Sequence, residues 1–181
     1  MKRVSPTEPV LRTLFDEVAI AARTRALAEQ IAASGPEHLL AVAVLKGSFM
    51  FAADLLRALH GVGLAPQVEF IHLSSYGAGT TSSGTVTVLR DIDSDVAGRD
   101  VLLVDDILES GRTLRFARDL MLGRGARRVM VAVILEKPGK RAVALDADFV
   151  GFTCPDLFVV GYGMDAAHRF RQLPFIGVVE G

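Results

Sequence analysis

The segment from Val101 to Leu114, VLLVDDILESGRTL, holds the groups of this sequence that are best placed to do chemistry. It runs from an apolar stretch through two adjacent carboxylates into the short loop Glu109–Thr113, and then into a helix-forming sequence. The loop offers several backbone N–H groups and two hydroxyls, and Gly111 lets the backbone approach a ligand without a Cβ clash. With the positive end of the following helix, the loop predicts a binding site for an anion such as a phosphate.

The acidic pair Asp105 and Asp106 stands directly before this anion site. Two carboxylates there make sense if the ligand also carries hydroxyls and a metal, because they can accept hydrogen bonds from a ribose diol or hold Mg²⁺, usually through water. Adjacent residues of a strand point to opposite faces, so one of the pair could lie behind the other. The competing interpretation is a plain helix N-terminus with Asp and Ser as caps, which accounts for single residues better than for the whole ordered string.

The elements that must position this segment alternate between strands and helices. Helices are predicted over residues 16–33, 49–59 and 113–122, with Ser48 as the cap of the second. Apolar runs predict strands over residues 39–45, 68–73, 86–89, 100–104 and 128–135, and shorter strands over 149–152 and 158–161. The interval Ser74–Thr85, rich in Gly, Ser and Thr, predicts a flexible connection.

This order predicts an α/β fold with a mainly parallel, twisted sheet flanked by helices. Ligands of such sheets bind beyond the carboxyl ends of the strands, so the loops after Leu45, Leu73, Val104 and Leu135 should converge on one site. A length of 181 residues suits a single domain with a hydrophobic core.

Composition and charge limit the partners that the chain is expected to have. Lys and Arg number 20 against 21 Asp and Glu, so the basic excess of a generic nucleic-acid binder is missing. No apolar run is long enough to span a bilayer. The single cysteine, Cys154, has no partner for an internal disulfide, which fits a reducing compartment, and we interpret it as structural. We therefore expect a cytoplasmic protein that binds neither nucleic acid nor membrane.

The string Val101–Leu114 closely resembles the ribose-phosphate signature of the phosphoribosyltransferases: an apolar strand, two acidic residues, two apolar residues, then Asp-Thr/Ser-Gly-x-Thr. Five further segments resemble the hypoxanthine branch of that family, in the family's order: Leu45–Ser48, Ser74–Gly77, Lys137–Pro138, Phe158–Tyr162 and Phe170–Pro174. The resemblance covers nearly the whole chain. It implies a type I phosphoribosyltransferase fold in one domain, with a core at about residues 16–150 and a small hood from about residues 1–15 and 151–181.

The resemblance also implies an activity. A Mg²⁺-dependent purine salvage enzyme would transfer ribose 5-phosphate from phosphoribosyl pyrophosphate to a ring nitrogen of hypoxanthine, and of guanine as a second base, giving IMP or GMP and pyrophosphate. Relatives form dimers or tetramers, so a homodimer or homotetramer is implied. A phosphoribosyltransferase for another base and a nucleotide-responsive RNA-binding regulator on the same fold stay open as alternatives. A plain α/β binding module comes last.

The site residues follow from the same resemblance. The residues implied for the 5-phosphate and ribose are Asp105, Asp106, Glu109, Ser110, Gly111, Arg112 and Thr113. Those implied for pyrophosphate are Lys46, Gly47, Ser75, Tyr76 and Arg171. Those implied for the purine are Ile107, Lys137, Phe158, Val159 and Asp165, and for Mg²⁺ Asp105, Asp106 and Asp165. The interval Ser74–Thr85 resembles a mobile lid that excludes water from the reacting centre.

The resemblance also implies a chemical role for several individual residues. Lys137 would donate to the 6-oxo group, and because lysine can only donate it favours a carbonyl over the amino group of adenine. Phe158 would stack on the base, and the backbone of Val159 would hydrogen-bond its edge. Glu109 would act as general acid or base for the proton on purine N7, although the family usually has Asp there. A second departure is Asp105, where Glu is more common, and the peptide before Lys46 is often cis in the family.

Overall fold

The structure, a computed structural model, describes residues 10–75 and 85–180. The helices are α1 (Glu17–Ala33), α2 (Phe49–Gly61) and α3 (Arg112–Gly123). The strands are β1 (Val10–Phe15), β2 (Leu40–Leu45), β3 (Gln67–Ser75), β4 (Val86–Arg90), β5 (Asp100–Leu108), β6 (Arg128–Glu136), β7 (Phe149–Thr153), β8 (Val159–Val160) and β9 (Ile176–Glu180). None of the helices in these ranges is long and apolar enough to cross a membrane.

The main sheet has six strands in the order β4-β3-β2-β5-β6-β7. All neighbours pair in parallel except β4, which runs antiparallel to β3 at the edge. The predicted α/β fold with a mainly parallel sheet is confirmed. A separate antiparallel sheet, in the order β1-β9-β8, joins the two ends of the described chain. We propose that this small sheet is the hood of the type I phosphoribosyltransferase fold.

The central strands are apolar throughout because helices cover both faces of the main sheet. On β5, Leu102 and Val104 pack into the cluster that contains residues of α1 and α2. Val101 and Leu103 pack into the cluster that contains residues of α3. A strand buried on both faces carries a continuous apolar run rather than an alternating one, which is what the sequence showed.

The ends of several elements differ from the sequence-based expectation. Strand β5 continues to Leu108, pairing with β6 up to Glu136, so Asp105 and Asp106 lie within the strand and not in a loop after Val104. Strands β1 and β9 were not predicted; they are six and five residues long and pair with each other across the described chain.

The prediction that the side chain of Ser48 caps α2 was wrong. Ser48 is the residue before the helix, but its side chain makes no capping hydrogen bond. Its buried Oγ donates instead to the carbonyl of Val44 at 2.6 Å, which satisfies the hydroxyl inside the core. Helix α1 does begin with a side-chain cap, since Asp16 accepts a hydrogen bond from the N–H of Ala19 at 2.8 Å.

Candidate active site

A cleft of about 310 Å³ opens at the carboxyl ends of β2 and β5. The predicted site residues that line it are Lys46, Gly47, Asp105, Asp106, Ile107, Glu109, Ser110, Gly111 and Thr113. Leu73, near the end of β3, lines it as well. The segments after Leu45 and Val104 therefore line one cleft together, as predicted, whereas no described residue after Leu135 is among its lining residues.

The loop that begins α3 is open to an anion. Gly111 is the N-cap residue, with a φ of 78°, and it makes no side-chain capping bond. The interpretation of this segment as a helix end capped by Asp and Ser is therefore wrong, because the capping position is held by a residue without a side chain. Arg112 is the exposed first residue of α3, and its N–H lies 3.4 Å from Ser110 Oγ. The helix thus directs its positive end at the cleft without an acidic cap.

Asp105, which is buried, and Asp106, which is partly buried, are adjacent carboxyl groups that both line the cleft. Burial raises the pKa of Asp105 well above its ordinary value, and the charge of Asp106 raises it further. Burial also raises the pKa of Asp106, although the hydrogen bond from Asp105 and the charge of Arg171 act in the opposite direction. Burial and the neighbouring carboxylate both disfavour two ionised carboxylates without a partner. The pair therefore suits a ligand that brings positive charge or hydroxyl donors.

Asp105 and Asp106 fit Mg²⁺ as part of its ligand shell and not as a complete site. Among the described residues, no group of three or more His, Cys, Asp or Glu side chains is arranged to hold a metal by itself. Mg²⁺ usually binds through one or two carboxylates and completes its shell with water and phosphate oxygens. The site therefore fits a cation that arrives with, or is completed by, a phosphorylated substrate.

The turn after β2 lies directly against this acidic pair. The peptide between Leu45 and Lys46 is cis. A Cβ placed on Gly47 would lie 1.7 Å from Asp106 Oδ2, so only glycine allows the turn and the carboxylate to approach this closely. Lys46 is exposed and borders the cleft, so its ammonium is free to face an anion there.

Arg171 reaches the same turn from the C-terminal part of the chain. Its guanidinium donates to the carbonyl of Gly163 at 2.6 Å and pairs with Asp165 Oδ1 at 2.7 Å. Gly163 in turn packs on the turn after β2, since a Cβ there would lie 2.1 Å from the carbonyl oxygen of Gly47. Through Gly163, Arg171 is thus held near the turn after β2, and its contact with pyrophosphate stays a prediction. Asp165 is paired with Arg171, and its role as a metal ligand stays a prediction.

Lys137, at the end of β6, approaches the cleft from the other side. The residue is only 7% exposed, which argues against a solvated surface lysine. Its Nζ lies 3.6 Å from Glu109 Oε1, and its N–H donates to the carbonyl of Leu108 at 3.0 Å. A buried cation and a half-exposed carboxylate are thus side by side next to residues 109–113, which are called the anion loop below after the ligand predicted for them.

The remaining predicted residues lie apart from the cleft lining or outside the described ranges. Phe158 is 62% exposed, and Val159 is buried in β8, where it pairs with Val178. Their contacts with a base stay a prediction. Tyr76 and most of the expected lid fall outside the described residues, and so does the side chain of Ser75.

Sequence reasoning missed Arg141. Its Nη1 donates to the carbonyl oxygens of Leu108 at 2.9 Å and of Glu109 at 2.8 Å, which ties it to the anion loop. In the sequence it stands in the stretch Pro138–Arg141, PGKR, which is typical of an exposed basic turn. Nothing in that local pattern distinguishes it from Lys140, so only the structure could find it.

Comparison with known proteins gives consistent matches over almost the whole chain. The family model described as "Phosphoribosyl transferase domain" matches residues 11–167. The chain is 42% identical over 173 residues to hypoxanthine phosphoribosyltransferase of Escherichia coli, covering 93% of this chain and 95% of the relative. It is 40% identical over 173 residues to hypoxanthine-guanine phosphoribosyltransferase of Streptococcus agalactiae, covering 94% of each.

A solved structure gives the same result for the fold. Hypoxanthine phosphoribosyl transferase of Trypanosoma cruzi superposes with a TM-score of 0.89 and 37% identity, covering 97% of this chain and 94% of that one. That structure concerns the role of the C-terminal region in oligomeric state and enzymatic activity.

Proposed function

The chain belongs to the phosphoribosyltransferase family, and on that premise we propose that it is a purine salvage enzyme for 6-oxopurines. It transfers the 5-phosphoribosyl group of phosphoribosyl pyrophosphate to hypoxanthine and guanine, giving IMP or GMP and pyrophosphate. The observation that carries the choice of base is the 3.6 Å separation between Lys137 Nζ and Glu109 Oε1 beside the anion loop.

That separation matches one edge of a 6-oxopurine, on which O6 and N7 are neighbours. The ammonium of Lys137 can only donate, so it pairs with the 6-oxo oxygen and not with the amino group that adenine carries there. The carboxylate of Glu109 stands next to it, where it can accept the proton of N7. Adenine would set its amino group against a buried ammonium, which leaves both donors without an acceptor.

The sugar phosphate occupies the opposite end of the cleft. Residues 109–113 supply backbone N–H groups, hydroxyls and the positive end of α3 to the 5-phosphate. Asp105 and Asp106 accept hydrogen bonds from the ribose hydroxyls. The pyrophosphate lies over Lys46 and Gly47, where Arg171 adds a second cation.

The reaction then exchanges one bond at the anomeric carbon. A ring nitrogen of the purine forms a bond to that carbon while the bond to the pyrophosphate oxygen breaks, and pyrophosphate leaves with the electron pair. Glu109 accepts the proton that the purine loses from N7. Lys46 and Arg171 hold the departing pyrophosphate, and the carboxylates below the ribose stabilise the positive charge that develops on the sugar.

Asp105 and Asp106 are the residues that would hold Mg²⁺ in this site. Bound there, it would neutralise charge on the leaving pyrophosphate. Asp165 is the third carboxylate proposed for a metal on the pyrophosphate side, and its ion pair with Arg171 keeps it within reach of that end of the cleft.

A homodimer or homotetramer is part of the same proposal. The Trypanosoma cruzi structure concerns oligomeric state. Val68 and Phe70, alternate residues of β3, are 41% and 45% exposed, so the described surface carries an apolar strip of the kind that subunit contacts cover.

Pyrophosphate release with four bases, in the presence of Mg²⁺ or of excess EDTA, tests the proposal. We expect release with hypoxanthine and guanine in Mg²⁺, loss of release in EDTA, and about 10²-fold or more lower kcat/KM with adenine, since a site built for one donor pattern rejects the other. Xanthine serves as the test of tolerance at C2. Release that is fastest with adenine, or absent with every 6-oxopurine, would refute the assignment.

A further inference from the structure

We infer that Arg141 is a positioning residue that turns the backbone of the anion loop toward the 5-phosphate and thereby sets the affinity of that site. The inference rests on the proposed function, because it assumes that residues 109–113 receive the phosphate. Arg141 is not among the residues that line the cleft. It would therefore act through the backbone behind the loop and not by touching the substrate.

The guanidinium of Arg141 lies among backbone carbonyls. Its Nη1 donates to the carbonyls of Leu108 at 2.9 Å and Glu109 at 2.8 Å, and it lies 3.3 Å from the carbonyl of Lys137. A guanidinium carries five N–H donors in a fixed fork and stays charged at any physiological pH. It can therefore hold several carbonyls at once and compensate their negative ends.

The direction of those carbonyls decides where the N–H groups of the loop point. The carbonyls of residues 108–110 all face the segment that contains Arg141, because Arg141 holds the first two and the N–H of Ala142 donates to the third at 2.9 Å. In a planar trans peptide the N–H points opposite to the C=O. The N–H groups of residues 109–111 therefore point away from Arg141, toward the cleft that the same residues line.

These three N–H groups have no acceptor elsewhere in the two described ranges. A row of backbone N–H groups directed at one point is an anion-binding nest. Without a cation behind the loop, its carbonyls could equally turn toward the cleft and repel a phosphate. Arg141 is placed to prevent that rotation.

Arg141 also connects the anion loop to the segment that carries Lys137. Its Nε donates to the carbonyl of Leu145 at 3.1 Å, and its Nη2 pairs with the carboxylate of Glu136. Lys137 keeps a separate attachment, the hydrogen bond from its N–H to the carbonyl of Leu108. Loss of Arg141 should therefore disturb the phosphate end of the cleft more than the purine end.

Three variants separate positioning from general support of the fold. Arg141→Met removes the guanidinium but keeps an apolar side chain in place of the aliphatic stem. Arg141→Lys keeps the charge without the fork, and Arg141→Ala leaves room for added guanidinium. The matched control is Arg115→Met, since Arg115 also donates to this segment, at Ala144, over 3.2 Å, but from the exposed side.

Titration calorimetry measures the affinity for IMP. Steady-state kinetics gives the KM values for phosphoribosyl pyrophosphate and for hypoxanthine. Loss of two hydrogen bonds from a charged donor predicts that Arg141→Met weakens IMP binding and raises KM for phosphoribosyl pyrophosphate about 10-fold or more. The KM for hypoxanthine should change by less than about threefold, because the Lys137 N–H still bonds to the carbonyl of Leu108 when Arg141 is lost. Arg141→Lys should lie between the wild type and Arg141→Met, and Arg115→Met should match the wild type.

Chemical rescue of Arg141→Ala by guanidinium distinguishes a positioning role from a merely structural one. Millimolar guanidinium chloride should restore part of the IMP affinity of Arg141→Ala, whereas a destabilised fold would gain nothing from it. The inference is overturned if Arg141→Met binds IMP as the wild type does, or if IMP and hypoxanthine lose affinity equally and guanidinium restores neither. A wild type that fails to bind IMP would overturn the proposed function itself, and this inference with it.

Discussion

Lys137 Nζ lies 3.6 Å from Glu109 Oε1, although the two residues follow different strands of the sheet. Strands β5 and β6 pair in parallel up to Leu108 and Glu136, so the residues immediately after them leave the sheet side by side. The lysine is buried and the glutamate is half exposed, so the proposed donor is shielded from water and the proposed proton acceptor is not. Each can be altered separately, and each change has its own expected consequence.

Replacing Glu109 by Gln should lower kcat for pyrophosphate release with hypoxanthine by about 10²-fold or more, the usual scale of general acid–base contributions. The amide keeps the size of the side chain but cannot accept the N7 proton. The KM for phosphoribosyl pyrophosphate should change little, because in the proposed site backbone N–H groups and not the Glu109 side chain bind the 5-phosphate. Steady-state kinetics with each substrate varied in turn will measure both constants.

Glu109→Asp is the companion variant, because the family usually has Asp at this position. It keeps the carboxylate and shortens the side chain by one methylene, so a substantial part of the turnover should survive. If Glu109→Gln turns over at the rate of the wild type, Glu109 has no part in proton transfer.

Replacing Lys137 by Gln should reduce discrimination between hypoxanthine and adenine. An amide can accept as well as donate, whereas the ammonium only donates. The kcat/KM for hypoxanthine should fall about 10- to 100-fold, as expected for the loss of a charged hydrogen bond, while that for adenine should not fall. Lys140→Gln is the matched control, since Lys140 is more exposed and pairs with Asp156 at 2.6 Å. Equal losses with both bases would assign Lys137 a role in the fold only.

The fold and the anion loop could be predicted from the sequence because each depends on local signals. Continuous apolar runs such as Val101–Val104 indicate strands buried on both faces, and Gly111 marks the point where a strand passes into a helix. The order of the elements then limited the topology to a mainly parallel sheet. Those signals need no knowledge of contacts between distant residues.

The parts that could not be predicted depend on such distant contacts. Strand β9 pairs with β1, some 160 residues earlier in the chain, and no local pattern in either segment records that partner. Arg141 differs from Lys140 only in what its side chain reaches, which no local pattern records. The ion pair between Asp165 and Arg171 has the same origin, in a segment whose order is set by tertiary packing.

Replacing Gly47 by Ala should damage the site without damaging the sheet. The new Cβ would lie 1.7 Å from Asp106 Oδ2 and 2.6 Å from its Cγ, so the carboxylate has to move. A displacement of that size at a reacting centre can cost about 10²-fold in rate, and we expect that loss in kcat/KM for phosphoribosyl pyrophosphate. Gly61→Ala is the control, since a Cβ at the end of α2 meets nothing within 4 Å. Full activity of Gly47→Ala would show that Asp106 is not needed where the structure places it.

Asp100 offers a test of stability that is separate from the site, because it begins β5 at the end opposite the cleft. The residue is 0% exposed and accepts hydrogen bonds from the N–H of Glu37 at 2.9 Å and from Arg127 and Arg128 at 2.7 Å each. Burial alone would raise the pKa of Asp100, but these donors outweigh it, so the pKa lies below its ordinary value of 3.8. A carboxyl group with a lowered pKa in the folded state contributes stability that is complete above the unfolded pKa and is lost as the pH falls through the folded one.

Asp100→Asn should therefore lower the free energy of unfolding at pH 7 by about 1–3 kcal/mol, since two charge-assisted hydrogen bonds are weakened and the arginines can still turn to water. The difference from the wild type should shrink as the pH falls below about 4, where the wild-type carboxyl also becomes protonated. Urea unfolding at several pH values between 3 and 7 will measure it. Asp91→Asn, which weakens an exposed pair with Arg124, should have a much smaller effect. If the difference in free energy of unfolding between the wild type and Asp100→Asn stays constant across this pH range, the charge of Asp100 does not contribute to stability.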